Sequence, residues 1–290
     1  MVMADNREMN RQDVITIAGE YGLSPNRKFG QNFLISDRAA ERIISLVEKG
    51  PHRRIIEIGP GLGALTGRLL DLSEELTAVE IDAGICRYLG DAYSGRPGFE
   101  LIHGDFLKIE TGGDFDAVVS NLPYYCSSEI LMKLATDYRT GPVYVMLQKE
   151  VAERIVAKPG SRVYGAITVA LGLYFMPEIC FSVPGSSFYP SPDVSSSFIR
   201  LERREDMLLH ETRSIEFFHL LLKSAFWGRR KTILRALTGS PHLWLDRHGA
   251  ASLLEEAGIR PDVRGEGLGL DEYVIMAKTL DRITGTGDRD

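Results

Sequence analysis

Apolar positions fall along the first half of the chain as short runs separated by turns and by helical periods. RRIIEI (53–58), LTAVEI (76–81), FELIHG (99–104), FDAVVS (115–120) and VYVMLQ (143–148) each read as a short buried strand. Residues 37–50 carry Ala40, Ile43, Ile44 and Val47 on one helical face, with Ser36 placed to cap it. A glycine turn leads into a helix from about Ala64, a second helix runs through Cys86 and Leu89, and a third covers 127–138. This alternation predicts an α/β fold, a Rossmann-like parallel sheet with helices on both faces. The apolar run 163–177 is 15 residues long and holds two glycines and a threonine. It is shorter than the ~20 residues that span a bilayer and reads as a buried core segment.

After Leu201 the texture changes. ERREDM is a charged joint, and 215–237, 250–257 and 270–280 follow with helical period. The expected organisation is a partly flexible N-terminal extension (1–26), a Rossmann-like domain (27–205), a small all-helical C-terminal domain (206–283) and a disordered tail (284–290).

A length of 290 residues with 44% hydrophobic and 26% charged positions leaves room for two globular domains and excludes wholesale disorder. Cys86, Cys126 and Cys180 are odd in number, far apart and form no CxxC pair, so neither a disulfide framework nor a metal site is expected. MVMADNREMN lacks the pattern of a secretion signal, and a cytoplasmic protein is expected. The net charge of −6 is unevenly placed: 6 basic and 12 acidic residues fall in 53–120. By contrast, Lys223, Arg229, Arg230, Lys231 and Arg235 follow one another with no acid between them. Such a run reads either as a solvated helix face or as a stripe that contacts phosphates, so an acidic total does not exclude RNA.

Glu57-Ile-Gly59-Pro-Gly61-Leu-Gly63 lies between a strand and a helix, where glycines let the backbone turn sharply and approach a ligand. Glu80 ends the second strand, 21 residues beyond Gly59, where a carboxylate can accept from both ribose hydroxyls. Asp105 follows the third strand and can accept from an adenine amino group. Together they describe a pocket for an adenosine-bearing cofactor. NAD and S-adenosyl-L-methionine (SAM) both fit, and the GxGxG spacing tilts toward SAM.

Asn121-Leu122-Pro123-Tyr124 follows the fourth strand, at the same sheet edge. Methylating an exocyclic amino group needs two acceptors that hold its hydrogens and turn its lone pair toward the methyl donor. The Asn121 amide oxygen and the Leu122 carbonyl can serve, with Pro123 biasing Leu122 to an extended conformation. Tyr124 can stack on the base, and Phe188 in SSFYPSP is a candidate for its other face. The tetrapeptide turns the balance to methyl transfer.

These residues resemble the KsgA-type dimethyladenosine transferases of small-subunit ribosomal RNA. The resemblance is carried by KFGQNFL (28–34), EIGPGLGALT (57–66), NLPYY (121–125), LQKEVAERIVAKPGSRVYG (147–165), VPGSSFYPSPDV (183–194) and AFWGRRKTILRAL (225–237). It implies a SAM-dependent enzyme that dimethylates N6 of two adjacent adenines in a hairpin near the 3′ end of 16S rRNA. The expected partner is the small ribosomal subunit or its precursor, the expected state a monomer. By motif, Asn32 and Leu34 close over the cofactor, and Gly59, Gly61, Glu80, Asp105 and Asn121 contact it. Asn121, Leu122, Pro123, Tyr124 and Phe188 then hold the adenine, and the 229–232 stretch grips RNA. Where the family often has a basic residue and an aspartate, this chain reads Pro192-Asp193-Val194-Ser195-Ser196. Three competing readings are a large-subunit rRNA methyltransferase of the macrolide-resistance type, an inactive assembly factor on the same fold, and a dehydrogenase.

Overall fold

Burial on both faces explains why the central strands read as predominantly apolar runs. In the computed structural model, β2 (Arg54–Ile58), β3 (Glu75–Glu80), β4 (Phe99–His103), β5 (Ala117–Asn121) and β6 (Val143–Gln148) pair in parallel in the order β4-β3-β2-β5-β6. Ile55, Ile56, Leu76, Ala117 and Val145 are fully buried within them. The structure describes residues 9–23, 32–50, 52–111 and 114–285. Lys28 to Gln31 of the KFGQNFL segment and residues 286–290 of the expected tail lie outside them.

Helices α2 (Asp37–Val47), α3 (Thr66–Leu72), α4 (Ala83–Tyr93) and α5 (Ser127–Asp137) occupy the predicted places. Ser36 caps α2 by accepting from the Ala39 N–H, and Asp82 caps α4 through Gly84 and Ile85. The expected N-terminal extension also contains a helix, α1 (Arg11–Glu20). Asn10 and Asp13 form a reciprocal capping box there, and Val14 is buried in the core.

The sheet is mixed rather than wholly parallel. β9 (Ser196–Arg203) adds antiparallel to β6, and β7 (Phe175–Val183) completes the seven-stranded order beside it. A small antiparallel pair, β1 (Phe33–Leu34) with β8 (Phe188–Tyr189), sits apart from the sheet. Chain order runs outward from β2 to β4 on one side and from β5 to β6 on the other. The carboxyl ends of β2 and β5 therefore form a topological switch point, where such sheets hold ligands.

The chain divides into two compact units, Met1–Ala152 with Pro177–Arg203, and Glu153–Met176 with Arg204–Asp290. The second unit includes 153–176, which the sequence pattern assigns to the sheet domain. Within the unit, the Tyr164 hydroxyl donates to the Leu268 carbonyl at 2.8 Å and the Gly160 N–H to the Glu266 carbonyl at 2.8 Å. Its helices are α7 (Ala166–Gly172), α8 (Thr212–Trp227), α9 (Ile233–Thr238), α10 (Arg247–Glu256) and α11 (Leu270–Gly285); α6 (Lys149–Ile155) crosses the division. Tyr273, fully buried, donates to the Gly265 carbonyl at 3.0 Å and meets Phe218 edge-on.

Two expectations are corrected here. The helix expected over 215–237 is two helices, because 228–232 leaves the helical path. Thr232 bridges Arg264, and the Ile233 N–H donates to the Val263 carbonyl at 2.6 Å. Thr284 and Gly285, expected in the tail, form the last turn of α11.

Candidate active site

The glycine turn leaves β2 with Gly59 at φ +66° and Gly61 at φ +54°. Both lie in the left-handed region that favours glycine. The Gly59 N–H donates to the Val79 carbonyl at 2.9 Å, which ties the turn to β3. A β-carbon on Gly59 would lie 3.9 Å from the Asn121 carbonyl, and one on Gly61 would lie 3.3 Å from the Phe33 ring. The turn thus packs between the NLPY loop and the β1 segment.

One cavity at the switch point is lined by Asn32, Leu34, Gly59, Gly61, Glu80 and Asp105, and by Asn121, Leu122, Pro123 and Tyr124. Glu57, Phe33, Phe106 and Tyr125 line it too, though the motif reading gave them no role. For Glu57 the signal was present: an acid inside the apolar run RIIEI is costly to bury and needs a reason.

Glu57 is 2% exposed, and its carboxylate accepts from the Thr66 hydroxyl at 2.7 Å. Burial pushes its pKa up to about 8, against the lowering effect of that hydrogen bond and with a further push from the Glu80 charge. Glu80 is also buried, and burial raises it as well. The N–H groups of Ile81 and Asp82, each 2.9 Å from Oε1, favour its ionised form, as does the Gly61 backbone. Asp105 follows β4 and accepts from the Leu107 N–H at 3.0 Å through one oxygen.

Asn121 is the last residue of β5. Its amide nitrogen donates to the Asn32 carbonyl at 3.1 Å, which leaves the amide oxygen as the acceptor it offers a ligand. Leu122 is 1% exposed and fixed by its N–H, which donates to the Met146 carbonyl at 3.3 Å. The Tyr124 hydroxyl is hydrogen-bonded to the Ser196 hydroxyl at 2.9 Å, and burial raises the tyrosine's pKa. Ser196 thereby tethers the ring from β9, a link invisible in the primary sequence.

Phe188 is not brought to this cavity. It is 2% exposed, pairs with Leu34 across β1 and β8, and belongs to the core. Phe188, expected to face Tyr124 across a base, is not among the residues lining the cavity, and its side chain belongs to the buried core cluster. Lys223, Arg229, Arg230, Lys231 and Arg235 lie in the second unit and are all exposed. The run is free of acids in sequence but not in space, since Arg229 pairs with Glu266 at 3.4 Å.

Three carboxyl groups line the cavity, and among the described residues no lysine, arginine or histidine does. A dinucleotide would bring its anionic pyrophosphate against acidic groups with no cation to offset it, whereas a sulfonium cofactor with an ammonium group brings positive charge that favours their ionised forms, that of the buried Glu57 included. The residues present therefore fit SAM, and the fold and site define a SAM-dependent methyltransferase of the Rossmann-like class.

Comparison with known proteins narrows the class. The model of the family described as ribosomal RNA adenine dimethylase matches residues 22–260. The ribosomal RNA small subunit methyltransferase A of Anoxybacillus flavithermus is 38% identical over 91% of this chain and 93% of its own length. The chain belongs to the ribosomal RNA adenine dimethylase family. In fold, it is similar to a dimethyladenosine transferase from Plasmodium falciparum (TM-score 0.74, 24% identity, 88% of this chain and 98% of that one). It is also similar to the 23S rRNA methyltransferase ErmE (TM-score 0.66, 26% identity, 86% and 100%). Among the described residues no helix is long and apolar enough to cross a membrane.

Proposed function

We propose that this chain transfers methyl groups from SAM to N6 of two adjacent adenines in the 3′-terminal hairpin of 16S rRNA. It acts as a cytoplasmic monomer on the small ribosomal subunit or its precursor, in the course of ribosome biogenesis. The observation that carries the chemistry is the end of β5. There the Asn121 amide is oriented by Asn32 and stands next to the glycine turn.

When bound, SAM supplies an electrophilic methyl group. Glu80 offers the ribose hydroxyls a carboxylate held ready by backbone N–H groups, and Asp105 offers the adenine amino group an acceptor. Asn32 and Leu34 close the cavity on the β1 side. On the substrate side, the Asn121 oxygen and the Leu122 carbonyl hold the two amino hydrogens, and the tethered Tyr124 ring fixes the plane of the base. The amino nitrogen would take the methyl carbon as the carbon–sulfur bond breaks and leaves a neutral thioether, and the proton made acidic by methylation would pass to solvent, so no strong general base is required. Positioning and fixed dipoles do the catalysis.

The small-subunit assignment is supported by the relative at 38% identity, set against 26% for the large-subunit enzyme. The test is incubation with labelled SAM and unmethylated small subunits, followed by nucleoside analysis. Labelled dimethyladenosine at the paired adenines is expected; label confined to large-subunit RNA would refute the assignment.

Two further outcomes are expected. Gly61→Ala forces a β-carbon into a left-handed backbone beside Phe33, at a cost of roughly 1–3 kcal/mol. A SAM dissociation constant raised about tenfold, measured by calorimetry, is the expected consequence. Replacing Arg229, Arg230 and Lys231 with alanine is expected to weaken binding to small subunits. It should also flatten the salt dependence, by roughly one unit of slope for each phosphate that is no longer neutralised. An unaltered slope would mean that the run faces only solvent.

A further inference from the structure

The chain's two tryptophans, Trp227 and Trp244, both lie in the second unit and both stand in solvent, at 58% and 94% exposure. A ring left as bare as that of Trp244 contributes little to folding, since nearly all its apolar surface stays wet. The loop that presents Trp244 is nevertheless fixed. The Ser240 hydroxyl accepts from the His242 N–H at 3.0 Å, Leu243 is 7% exposed, and the Asp246 carboxylate caps α10 by accepting from the Gly249 N–H at 2.7 Å. Trp244 is thus held outward between two anchors. Trp227, at the end of α8, meets the His242 ring edge-on with centroids 5.4 Å apart, which joins the second tryptophan to the same loop.

Positive charge belongs to this surface. Arg229, Arg230 and Lys231 follow Trp227 directly, and all three are exposed. The Lys231 ammonium lies beside Gly239, where the loop begins; a β-carbon on that glycine would be 3.6 Å away from it. Leu243 beside Trp244 is buried and Leu245 half-buried, and the exposed residues that follow are polar: Asp246, Arg247 and His248. A protein-docking patch would need a contiguous apolar surface around the ring. A nucleotide needs a flat ring for the base and a cation for the phosphate.

Building on the rRNA reading above, we infer that Trp244, with Trp227 and the Arg229–Lys231 run, forms a stacking site for an unpaired nucleotide of the ribosomal RNA. The base lies on the indole of Trp244, and the adjoining phosphate meets Arg230 or Lys231. Arg229 is partly neutralised by Glu266 and contributes less.

Because the chain has only these two tryptophans, its indole emission reports on this surface alone. In a Trp227→Phe background, an unpaired RNA of about eight nucleotides is expected to quench Trp244 emission, and the same strand in a duplex to quench it much less. Trp244→Ala should weaken binding of the unpaired RNA and of small subunits by roughly 5- to 100-fold, and Trp244→Phe should retain most of the affinity. SAM binding should be the same in all three proteins. Equal affinities for parent and Trp244→Ala, with emission unquenched, would overturn the stacking site. Binding is read separately from methyl transfer, so absence of dimethyladenosine in the parent's products would count against the functional reading, not against this site.

Discussion

Asn121→Ala is expected to lower the rate of methyl transfer by about 10²–10³-fold, the scale seen when one fixed dipole is removed from a site that stabilises a transition state. The reason is geometric. The amide nitrogen is committed to the Asn32 carbonyl at 3.1 Å, so the oxygen is aimed by a bond on the far side of the same group. Alanine removes both the acceptor and the group that aims it. Binding of SAM and of rRNA should persist, because Glu80, Asp105 and the glycine turn remain in place, as does the second unit's basic surface. Asn121→Asp separates the two roles, since it keeps an acceptor oxygen but cannot donate to Asn32. Its rate should fall between parent and alanine variant. Single-turnover transfer from labelled SAM, paired with calorimetric SAM binding, measures both; unchanged turnover in the alanine variant would defeat the amino-group geometry.

What was legible in the sequence follows from how far each feature depends on distant partners. The five parallel strands read directly: β2, β3, β5 and β6 are buried on both faces and largely apolar, and β4 at the sheet edge keeps Phe99, Leu101 and Ile102. β7 and β9 did not. β7 exposes Met176, Glu178 and Ser182, leaves Ile179 and Cys180 half-buried and carries Pro177, while serines open β9, so neither shows the continuous apolar run of a buried strand. The break between α8 and α9 depends on Val263 and Arg264, some thirty residues away. The cavity residues at strand ends were legible because the switch point gathers whatever follows each strand. SSFYPSP shows an aromatic in a proline-stiffened loop, but not that Phe188 is buried and that its backbone pairs with Leu34. The same blindness hid the link from Ser196 to Tyr124 and the pairing of Arg229 with Glu266.

Glu57 carries the second large effect, and its sign is opposite to that of most salt-bridged carboxylates. Burial raises its pKa from 4.5 to about 8, so the folded chain keeps a proton that the unfolded chain releases near pH 4.5. Between those values the folded state binds more protons, and stability therefore falls as pH rises. The loss is about 1.4 kcal/mol per pH unit, or roughly 5 kcal/mol across the window, and it levels off above about pH 8. Glu57→Gln removes the titration while its amide oxygen can still accept from the Thr66 hydroxyl. The variant is expected to match the parent below about pH 4.5 and to exceed it increasingly toward pH 8, as read from urea midpoints across that range. Parallel profiles would show that Glu57 ionises as readily in the folded chain as in the unfolded one. A buried acid that destabilises the fold at neutral pH and lines the cofactor cavity is explained by binding rather than by folding. Glu57→Gln should therefore bind the cationic SAM less tightly than the parent at about pH 8, even as it unfolds at higher urea.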